Sequence, residues 1–347
     1  MTRKPTKKLR RGWTTGACAT AATKAALMAL WGGGFPETVK ITLPKGETPE
    51  FRVAHTAQGD GWTEVGIVKD AGDDPDVTHG ALIVARVRDC AQGVRFVAGE
   101  GVGTVTKPGL PIGVNEPAIN PVPRLMMTRM TDEMAALYGR PARVEITLSI
   151  PGGEKIALKT WNPRLGIVGG LSVLGTTGIV RPFSCSAWIA SIHRGVDVAR
   201  ADGQRHVAGC TGATSERVVQ ALYGLPDHAM LDMGDFSGGL LKYLRKHPIE
   251  RVTIGGGIGK ITKLAQGAVD LHSSRCQVDF AALNEMTQAD VLGANTALEA
   301  VEIAGNTLAQ AVAVQAQARV LEQLRGAVTQ VDIVVIDRAG AILGQVE

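Results

Sequence analysis

Hydrophobic and polar residues follow one rhythm in the first half of the chain and another in the second half. In the first half, short alternating segments between clusters of glycine, proline and aspartate are typical of a mostly antiparallel sheet with tight turns. These predicted strands are 38–43, 51–54, 63–68, 81–88 and 94–97. In the second half, helical patterns separate short apolar segments, which predicts a parallel α/β sheet. These segments are 166–168, 206–208, 230–233, 252–254 and 333–336.

Two long helices are predicted in the first half. The alanine-rich run 17–31 consists of good helix formers and follows Thr14 and Thr15, whose side chains can cap a helix. A second helix is predicted over 124–138, because Pro123 suits a first helical turn.

These elements predict an α/β fold in two domains. A hairpin of 144–150 with 155–159 ends an α+β domain over 13–160 with a mostly antiparallel sheet. Residues 161–347 then form a Rossmann-like α/β domain with a mainly parallel sheet, and residues 1–12 form a basic arm. We expect the ligand groove between the two domains, because domain junctions commonly host small-molecule sites.

Composition and charge exclude several classes of function. The net charge of +4 arises from six Lys and Arg residues in the basic arm, which leave the rest of the chain near −2. No nucleic-acid motif follows the arm, so we expect a solvated arm and no nucleic-acid partner. Five widely spaced cysteines without a CxxC pair indicate neither a disulfide framework nor a zinc site. No signal peptide or long apolar stretch is present, so we expect a cytoplasmic protein without a membrane partner; a homo-oligomer is compatible with the sequence.

The seven histidines show no spacing typical of metal ligands, so we expect no protein-built metal site. His272, which follows a glycine-rich helix turn, is a candidate for proton transfer. A structural hydrogen bond is the simpler explanation of this histidine.

Two turns follow predicted parallel strands, where open α/β sheets place their ligands. One contains Gly209, Thr211 and Gly212, and the other contains Asp232 and Asp235. Either aspartate can accept hydrogen bonds from ribose hydroxyls or oppose a sulfonium charge. Capping of the next helix by Asp235 is the alternative.

A third turn carries Gly255, Gly256 and Gly257 and is followed by Lys260. Its spacing matches neither the Walker A motif nor the dinucleotide-binding motif. What the pattern still indicates is a turn whose amides can hold an anion, with Lys260 as a point charge.

Four acids within seven positions, Asp70, Asp73, Asp74 and Asp76, follow a predicted strand. A solvated loop explains this density, and a calcium site lacks the ligand order of an EF-hand. Alternatively, one of these carboxylates has a raised pKa and manages a proton of the substrate.

Arg124 and Arg164 each follow a rigid proline turn, which can aim a guanidinium at a carboxylate of a ligand. Each arginine is equally suited to bind a protein carboxylate or a loop carbonyl. The glycine-rich block 167–178 offers unshielded backbone N–H groups to an anion, or is simply a crossing loop with positive φ angles.

Taken together, several segments resemble one family, the cobalt-precorrin-5B C1-methyltransferases of cobalamin biosynthesis. The segments occur in the same order between Arg11 and His272, and the long central block is the most specific of them. They are 11–22, 69–78, 105–110, 120–125, 162–180 and 255–263.

The resemblance implies methyl transfer from S-adenosylmethionine to C1 of cobalt-precorrin-5B, giving cobalt-precorrin-6A and S-adenosylhomocysteine in the oxygen-independent pathway. Cobalt enters only as part of the substrate, and S-adenosylmethionine is the methyl donor. The catalytic candidates are Asp70, Asp73 and His272. The candidates for the donor site are Gly209, Thr211, Gly212, Asp232, Asp235, Gly255, Gly256 and Gly257. The candidates for the carboxylate-rimmed macrocycle are Thr14, Thr15, Lys107, Arg124, Arg164, Gly175, Thr176 and Thr177.

Two other functions are compatible with the residues alone. A non-catalytic corrinoid carrier would bind the tetrapyrrole without the methyl donor. A small-molecule kinase would use the glycine-rich turns for ATP, although the broken phosphate-loop spacing disfavours this function.

Overall fold

The computed structural model describes residues 9–347 and divides the chain into two compact units. The first unit ends at Ser184, and the second runs from Cys185 to Glu347. Most of the predicted basic arm, residues 1–8, lies outside the described residues.

In the described part of the first unit, residues 9–184, strands are combined with two long helices and a short one. Its strands are β1 (Gly12–Trp13), β2 (Thr38–Lys40), β3 (Glu50–Arg52), β4 (His55–Gly59), β5 (Trp62–Val68), β6 (Leu82–Asp89), β7 (Val94–Ala98), β8 (Thr104–Val105), β9 (Val144–Ser149), β10 (Ile167–Val168) and β11 (Ile179–Val180). Its helices are α1 (Thr15–Gly32), α2 (Pro121–Tyr138) and α3 (Gly153–Ala157). The two long helices and a mostly antiparallel sheet are confirmed.

The main sheet of this unit has the strand order β4-β5-β6-β9-β7, and only the β7–β9 pair is parallel. Alternate residues of β9 are buried, as expected for a strand with one face on the core. Helix α1 packs against β5, β6 and α2. Its alanines have little side-chain volume, so they allow close packing and are almost fully buried.

The predicted hairpin of 144–150 with 155–159 is wrong. β9 already pairs with β6 on one edge and β7 on the other, so it has no free edge for another strand. Residues Gly153–Ala157 instead form α3, after Gly152 in the left-handed region.

The boundary between the units lies later in the chain than the predicted end of the first domain at residue 160. Two short antiparallel pairs hold residues 161–184 in the first unit, because β10 pairs with β8 and β11 pairs with β1. The prediction of 166–168 as a strand of the parallel sheet is therefore corrected.

The second unit alternates helices and strands. Its strands are β12 (His206–Cys210), β13 (Met230–Asp232), β14 (Arg251–Gly257), β15 (Gln330–Ile336) and β16 (Ile342–Val346). Its helices are α4 (Cys185–Ala201), α5 (Ala213–Tyr223), α6 (Ser237–Leu244), α7 (Ile258–Ala265), α8 (Phe280–Asn284), α9 (Ala297–Ala304) and α10 (Asn306–Leu324).

The sheet of this unit has the order β13-β12-β14-β15-β16. The first four strands are parallel, as the sequence predicts, and β16 is antiparallel at the edge. From β12 the chain moves outward to β13 and then returns to the other side of β12 to form β14. In open α/β sheets, ligands bind at the carboxyl ends of the strands where such a reversal occurs.

A buried polar cluster lies at the amino ends of the same strands. Asp332 is fully buried and accepts hydrogen bonds from Arg251 Nε and Thr253 Oγ1, both at 2.7 Å. His206 Nε2 lies 2.7 Å from the same Thr253 hydroxyl. Burial, together with the nearby Arg251, lowers the pKa of His206, so this ring stays neutral at neutral pH.

Candidate active site

The turns after β12, β13 and β14 converge at the carboxyl edge of the parallel sheet. Thr211 donates its backbone N–H to Gly255 O at 2.9 Å, which joins the first turn to the third. Cys210 and Asp232 are register partners, so the end of β13 lies beside the end of β12. The structure therefore brings the candidates Thr211, Gly212, Asp232 and Gly257 to one edge.

Lys260, on the first turn of α7, connects these turns. Its ammonium donates to Thr211 O at 2.8 Å and lies 3.1 Å from Asp235 Oδ1. Asp235 makes no cap of α6, contrary to the alternative considered above. Lys260 thus holds the first and second turns together through contacts within the protein.

The glycines at this edge have different roles. A Cβ at Gly209 would lie 2.5 Å from Leu240 Cδ2, and one at Gly255 would lie 2.5 Å from Val219 Cγ2. Both residues are also paired inside the sheet, so the structure gives them a packing role, and their part in the donor site stays a prediction. A Cβ at Gly256 would lie 2.7 Å from Thr211 Oγ1.

Open space remains at the other two glycines. No atom would lie within 4 Å of a Cβ at Gly212 or Gly257. Backbone at these positions can be approached closely by a ligand, as an anion- or nucleotide-binding turn requires.

Trp188 of α4 is a residue of this edge that the sequence reasoning missed. Its indole Nε1 donates to Asp232 O at 2.9 Å, and its side chain is 47% exposed. Tryptophan is absent elsewhere in residues 185–347, and aromatic residues make up only 4% of the chain. That scarcity is the signal by which the sequence could have singled out this residue.

In the first unit, the acidic loop holds the segment that enters β1. Asp70 forms a bidentate ion pair with the guanidinium of Arg10, and Asp73 Oδ2 accepts from the Arg10 backbone N–H at 2.6 Å. Trp13 N donates to Asp70 O at 2.7 Å. The end of the basic arm that the structure describes is therefore anchored by this loop, which corrects the expectation of a solvated arm for Arg10.

The ion pair with Arg10 changes the pKa of one catalytic candidate, Asp70. The hydrogen bond from Arg10 lowers the pKa of Asp70 to about 2. A carboxylate with so low a pKa is a poor general base, because it holds a proton weakly. The observation favours a structural or electrostatic role for Asp70 over the raised-pKa alternative.

The other two acids of the loop are also engaged. Asp74 Oδ1 accepts from Phe183 N at 2.8 Å, and Asp76 forms an ion pair with Lys69. Lys69 is only 2% exposed and also contacts Thr78. The loop is thus a network of internal contacts.

The amino end of α1 meets the central glycine-rich block. Thr14 caps α1 by accepting from Ala17 N at 3.2 Å, and its own N–H donates to Gly178 O at 3.0 Å. Gly175 has a φ of +139°, and a Cβ there would lie 2.2 Å from Thr14 Oγ1. Thr15 is buried at the same helix end. The structure therefore brings the candidates Thr14, Thr15 and Gly175 together.

The two neighbours of Gly175 in the candidate set differ in their surroundings. Thr177 Oγ1 accepts from Ile179 N at 3.3 Å, which closes a local turn. Thr176 is exposed.

The basic candidates for the macrocycle lie at the other end of the block. Thr106 N donates to Gly166 O at 2.7 Å, so Lys107 lies beside the turn that carries Arg164. The guanidinium of Arg164 lies 5.5 Å from the centre of the Trp161 ring. Residues 167–174 lie between this turn and Gly175 in the chain.

The guanidinium of Arg124 has partners within its own unit. Its Nε donates to Ile119 O at 2.8 Å, its Nη2 donates to Pro117 O at 3.0 Å, and its Nη1 lies 2.7 Å from Glu116 Oε2. These partners satisfy the guanidinium within the protein, as the structural alternative for this arginine anticipates. Arg124 fixes the 116–119 turn.

His272 lies on an exposed loop of the second unit. Its Nδ1 accepts from Ser274 N at 3.2 Å and contacts Ser274 Oγ at 2.7 Å. In the neutral ring this arrangement leaves the proton on Nε2, which can donate to a ligand. Its catalytic role stays a prediction.

Residues 9–347 contain neither a metal-binding cluster nor a membrane-spanning helix. No group of three or more His, Cys, Asp or Glu side chains in this part of the chain is arranged to hold a metal ion. Within the same residues, every helix is too short or too polar to cross a membrane.

The fold and the carboxyl edge of the parallel sheet define an α/β protein with a candidate nucleotide-type site in its second unit. Residues 2–182 match the family model described as CbiD, and residues 270–347 match the model of the CbiD C-terminal domain. The chain therefore belongs to the CbiD family, which confirms the family resemblance of its motifs.

Curated relatives match nearly the whole chain. The cobalt-precorrin-5B C(1)-methyltransferase of Brucella anthropi is 62% identical and covers 97% of this chain and 96% of its own. The proteins of the same name from Brucella canis and Brucella suis are 60% identical with the same coverage.

A solved structure is also similar. The cobalamin biosynthesis protein cbiD from Archaeoglobus fulgidus is 27% identical, with a TM-score of 0.41 over 72% of this chain and 77% of that chain.

Proposed function

We propose that this protein is a cobalt-precorrin-5B C(1)-methyltransferase. It uses S-adenosylmethionine to methylate C1 of cobalt-precorrin-5B and gives cobalt-precorrin-6A and S-adenosylhomocysteine. The observation that carries the proposal is the 60–62% identity to curated relatives of that name over 97% of the chain.

The methyl donor binds at the carboxyl edge of the parallel sheet, in a Rossmann-like manner. Three observations support this location: the reversal of strand order between β12 and β14, the open backbone at Gly212 and Gly257, and the acid at the end of β13. Asp232 is the ribose acceptor of this proposal, since a carboxylate there can accept from two hydroxyls. Thr211 and Gly257 present backbone to the rest of the donor.

The corrinoid binds to the first unit. Thr14, Thr15, Gly175, Thr176 and Thr177 provide small polar groups and backbone at the amino end of α1. Lys107 and Arg164, at the other end of the central block, are the cations for the acidic substituents of the macrocycle. Arg124 is left out of this set, because its donors are used internally.

The reaction needs one bond to form as another breaks. The nucleophilic C1 attacks the sulfonium methyl in line, the S–CH₃ bond breaks, and its electron pair stays on sulfur. Positioning and exclusion of water supply most of the rate gain in such a step, so no strong base is required. The low pKa of Asp70 accords with this chemistry. Asp73 and His272 Nε2 remain candidates for a proton of the substrate.

We place the protein in the cytoplasm, with small molecules as its partners. The five cysteines are widely spaced and form no CxxC pair, a usage typical of a reducing compartment.

The test is anaerobic incubation of the full chain with cobalt-precorrin-5B and S-adenosylmethionine, followed by mass spectrometry of both products. One added methyl group on the macrocycle, with one S-adenosylhomocysteine formed for each, is the expected result. Tetrapyrrole binding without donor binding or methyl transfer would contradict the proposal and identify a carrier.

Substitutions at the proposed donor site test where S-adenosylmethionine binds. Asp232→Ala should raise the Kd for S-adenosylmethionine, because the ribose loses its acceptor. Asp227→Ala is the matched control, since Asp227 lies before the other end of β13 and contacts Gln220. Equal donor affinity in both variants would remove Asp232 from the site.

A further inference from the structure

Trp188 presents an aromatic surface beside the proposed ribose acceptor. Its N–H donates to Asp232 O at 2.9 Å, and a Cβ at Gly234 would lie 3.4 Å from the indole. The centroid of the Phe236 ring lies 6.2 Å from that of the Trp188 indole, and the planes of the two rings are inclined by 53°. The indole therefore has a fixed position at the end of β13.

This position leaves much of the indole in contact with solvent. The side chain is 47% exposed, although burial of such a large apolar group is favourable. The rings of His193, Tyr243 and His247, on or just after α4 and α6, instead stack on one another with centroid separations of 3.9 and 4.1 Å. Trp188 therefore offers an exposed aromatic surface at this edge.

We propose that Trp188 is the platform on which the adenine ring of the methyl donor stacks. The inference rests on the proposed function, in which Asp232 binds the ribose. Adenine is bonded directly to that ribose, so it must lie within a few ångströms of Asp232. Trp188 contacts Asp232 and has the flat π surface that recognises a base through stacking.

The proposal predicts distinct effects for two substitutions of the same residue. Trp188→Ala should weaken S-adenosylhomocysteine binding roughly 5- to 150-fold, the range that base–aromatic stacking supplies. Trp188→Phe should retain most of the affinity, because a phenyl ring still stacks although it cannot donate to Asp232 O. If Trp188 only braces the turn through its N–H group, both variants should lose affinity equally, which would overturn the proposal.

Fluorescence gives a second readout. Trp188 is the single tryptophan of residues 185–347, so adenine stacking should quench the emission of the full chain. The quenching should vanish in Trp188→Phe and persist in Trp31→Phe. Trp31 is a suitable control, since its indole also donates a hydrogen bond, to Asp89 Oδ1 at 3.0 Å. Quenching that persists in Trp188→Phe would contradict the platform.

A ligand without adenine separates this inference from the function itself. S-ribosylhomocysteine should bind wild type and Trp188→Ala with equal affinity by calorimetry, whereas S-adenosylhomocysteine should distinguish them. Equal loss for both ligands would assign Trp188 a structural role. A wild type that methylates the corrinoid while Trp188→Ala binds donor normally would overturn only this inference. A wild type that binds no S-adenosylhomocysteine would overturn the proposed function as well.

Discussion

The ammonium of Lys260 donates to the carbonyl of Thr211 at 2.8 Å and lies 3.1 Å from Asp235 Oδ1, so one side chain holds two turns of the candidate donor site. Lys260→Met should leave both turns less ordered, because hydrogen bonds to charged groups contribute about 1.5–3 kcal/mol. We expect the KM for S-adenosylmethionine to rise roughly tenfold, with a smaller change in kcat. Lys242→Met, on the exposed side of α6, is the control. An unchanged donor KM in Lys260→Met would show that these turns do not bind the donor.

The ion pair of Asp70 with Arg10 predicts a pH dependence of stability. Arg10 lowers the pKa of Asp70 from 3.8 to about 2 in the folded chain. Because the folded pKa is the lower one, the pair stabilises the fold fully above about pH 4–5 and is lost as the pH falls through 2. Asp70→Asn should therefore lower Tm at pH 7, and the difference from wild type should shrink below about pH 4.

Differential scanning calorimetry between pH 7 and the acid transition measures that difference. Asp60→Asn, in the turn between β4 and β5, controls for the general effect of removing an acid. A Tm difference that does not change with pH would contradict the ion pair. Substantial methyl transfer by Asp70→Asn at pH 7 is also expected, because a carboxylate whose pKa is lowered to about 2 is a poor general base.

Gly175 and Gly169 allow a matched test of the contact with Thr14. Both have positive φ, so alanine at either position costs about 1–3 kcal/mol in backbone strain. At Gly175, however, the new Cβ would also lie 2.2 Å from Thr14 Oγ1, whereas the space at Gly169 is open. Gly175→Ala should lower the free energy of unfolding by clearly more than Gly169→Ala in urea titrations. Equal losses would show that Thr14 does not pack on Gly175.

The buried cluster around Asp332 should contribute strongly to stability. Asp332→Ala leaves Arg251 and Thr253 without their shared acceptor, and breaking a buried pair costs about 3–5 kcal/mol. Glu322→Ala, which breaks an exposed pair with Arg319, should cost less than about 1 kcal/mol. Urea unfolding measures the loss in unfolding free energy for each variant. Similar losses in Asp332→Ala and Glu322→Ala would contradict the burial of the Asp332 pair.

Elements with strong local signals were predictable from the sequence. Helix α1 has an alanine-rich run with a threonine cap, and β14 has a buried β-branched run that ends in glycines. The hairpin after β9 was predicted wrongly, because local turn signals do not reveal that both edges of β9 are already paired. The first domain was predicted to end at residue 160, earlier than the first unit ends, for the same reason: the β8–β10 and β1–β11 pairs join residues far apart in the chain.

In the candidate site, too, local sequence signals were predictive and long-range contacts were not visible. Thr211 and Asp232 were each placed after a predicted parallel strand, and the structure has both at the same edge of the sheet. Residue type alone did not show that Gly209 faces Leu240 or that Arg124 is satisfied by carbonyls of its own unit. Those outcomes depend on packing and on hydrogen-bond partners, which a single sequence does not specify. Trp188 was missed because its contact with Asp232 joins residues of different elements.

The most direct measurement uses S-adenosylmethionine with an isotopically labelled methyl group, cobalt-precorrin-5B and the full chain without oxygen. NMR of the purified macrocycle then locates the label. The proposed function predicts the labelled methyl at C1, with labelling reduced by Asp232→Ala when the donor is scarce and not by Asp227→Ala. An unlabelled macrocycle, with donor and substrate both recovered intact, or a label at another ring position would contradict it.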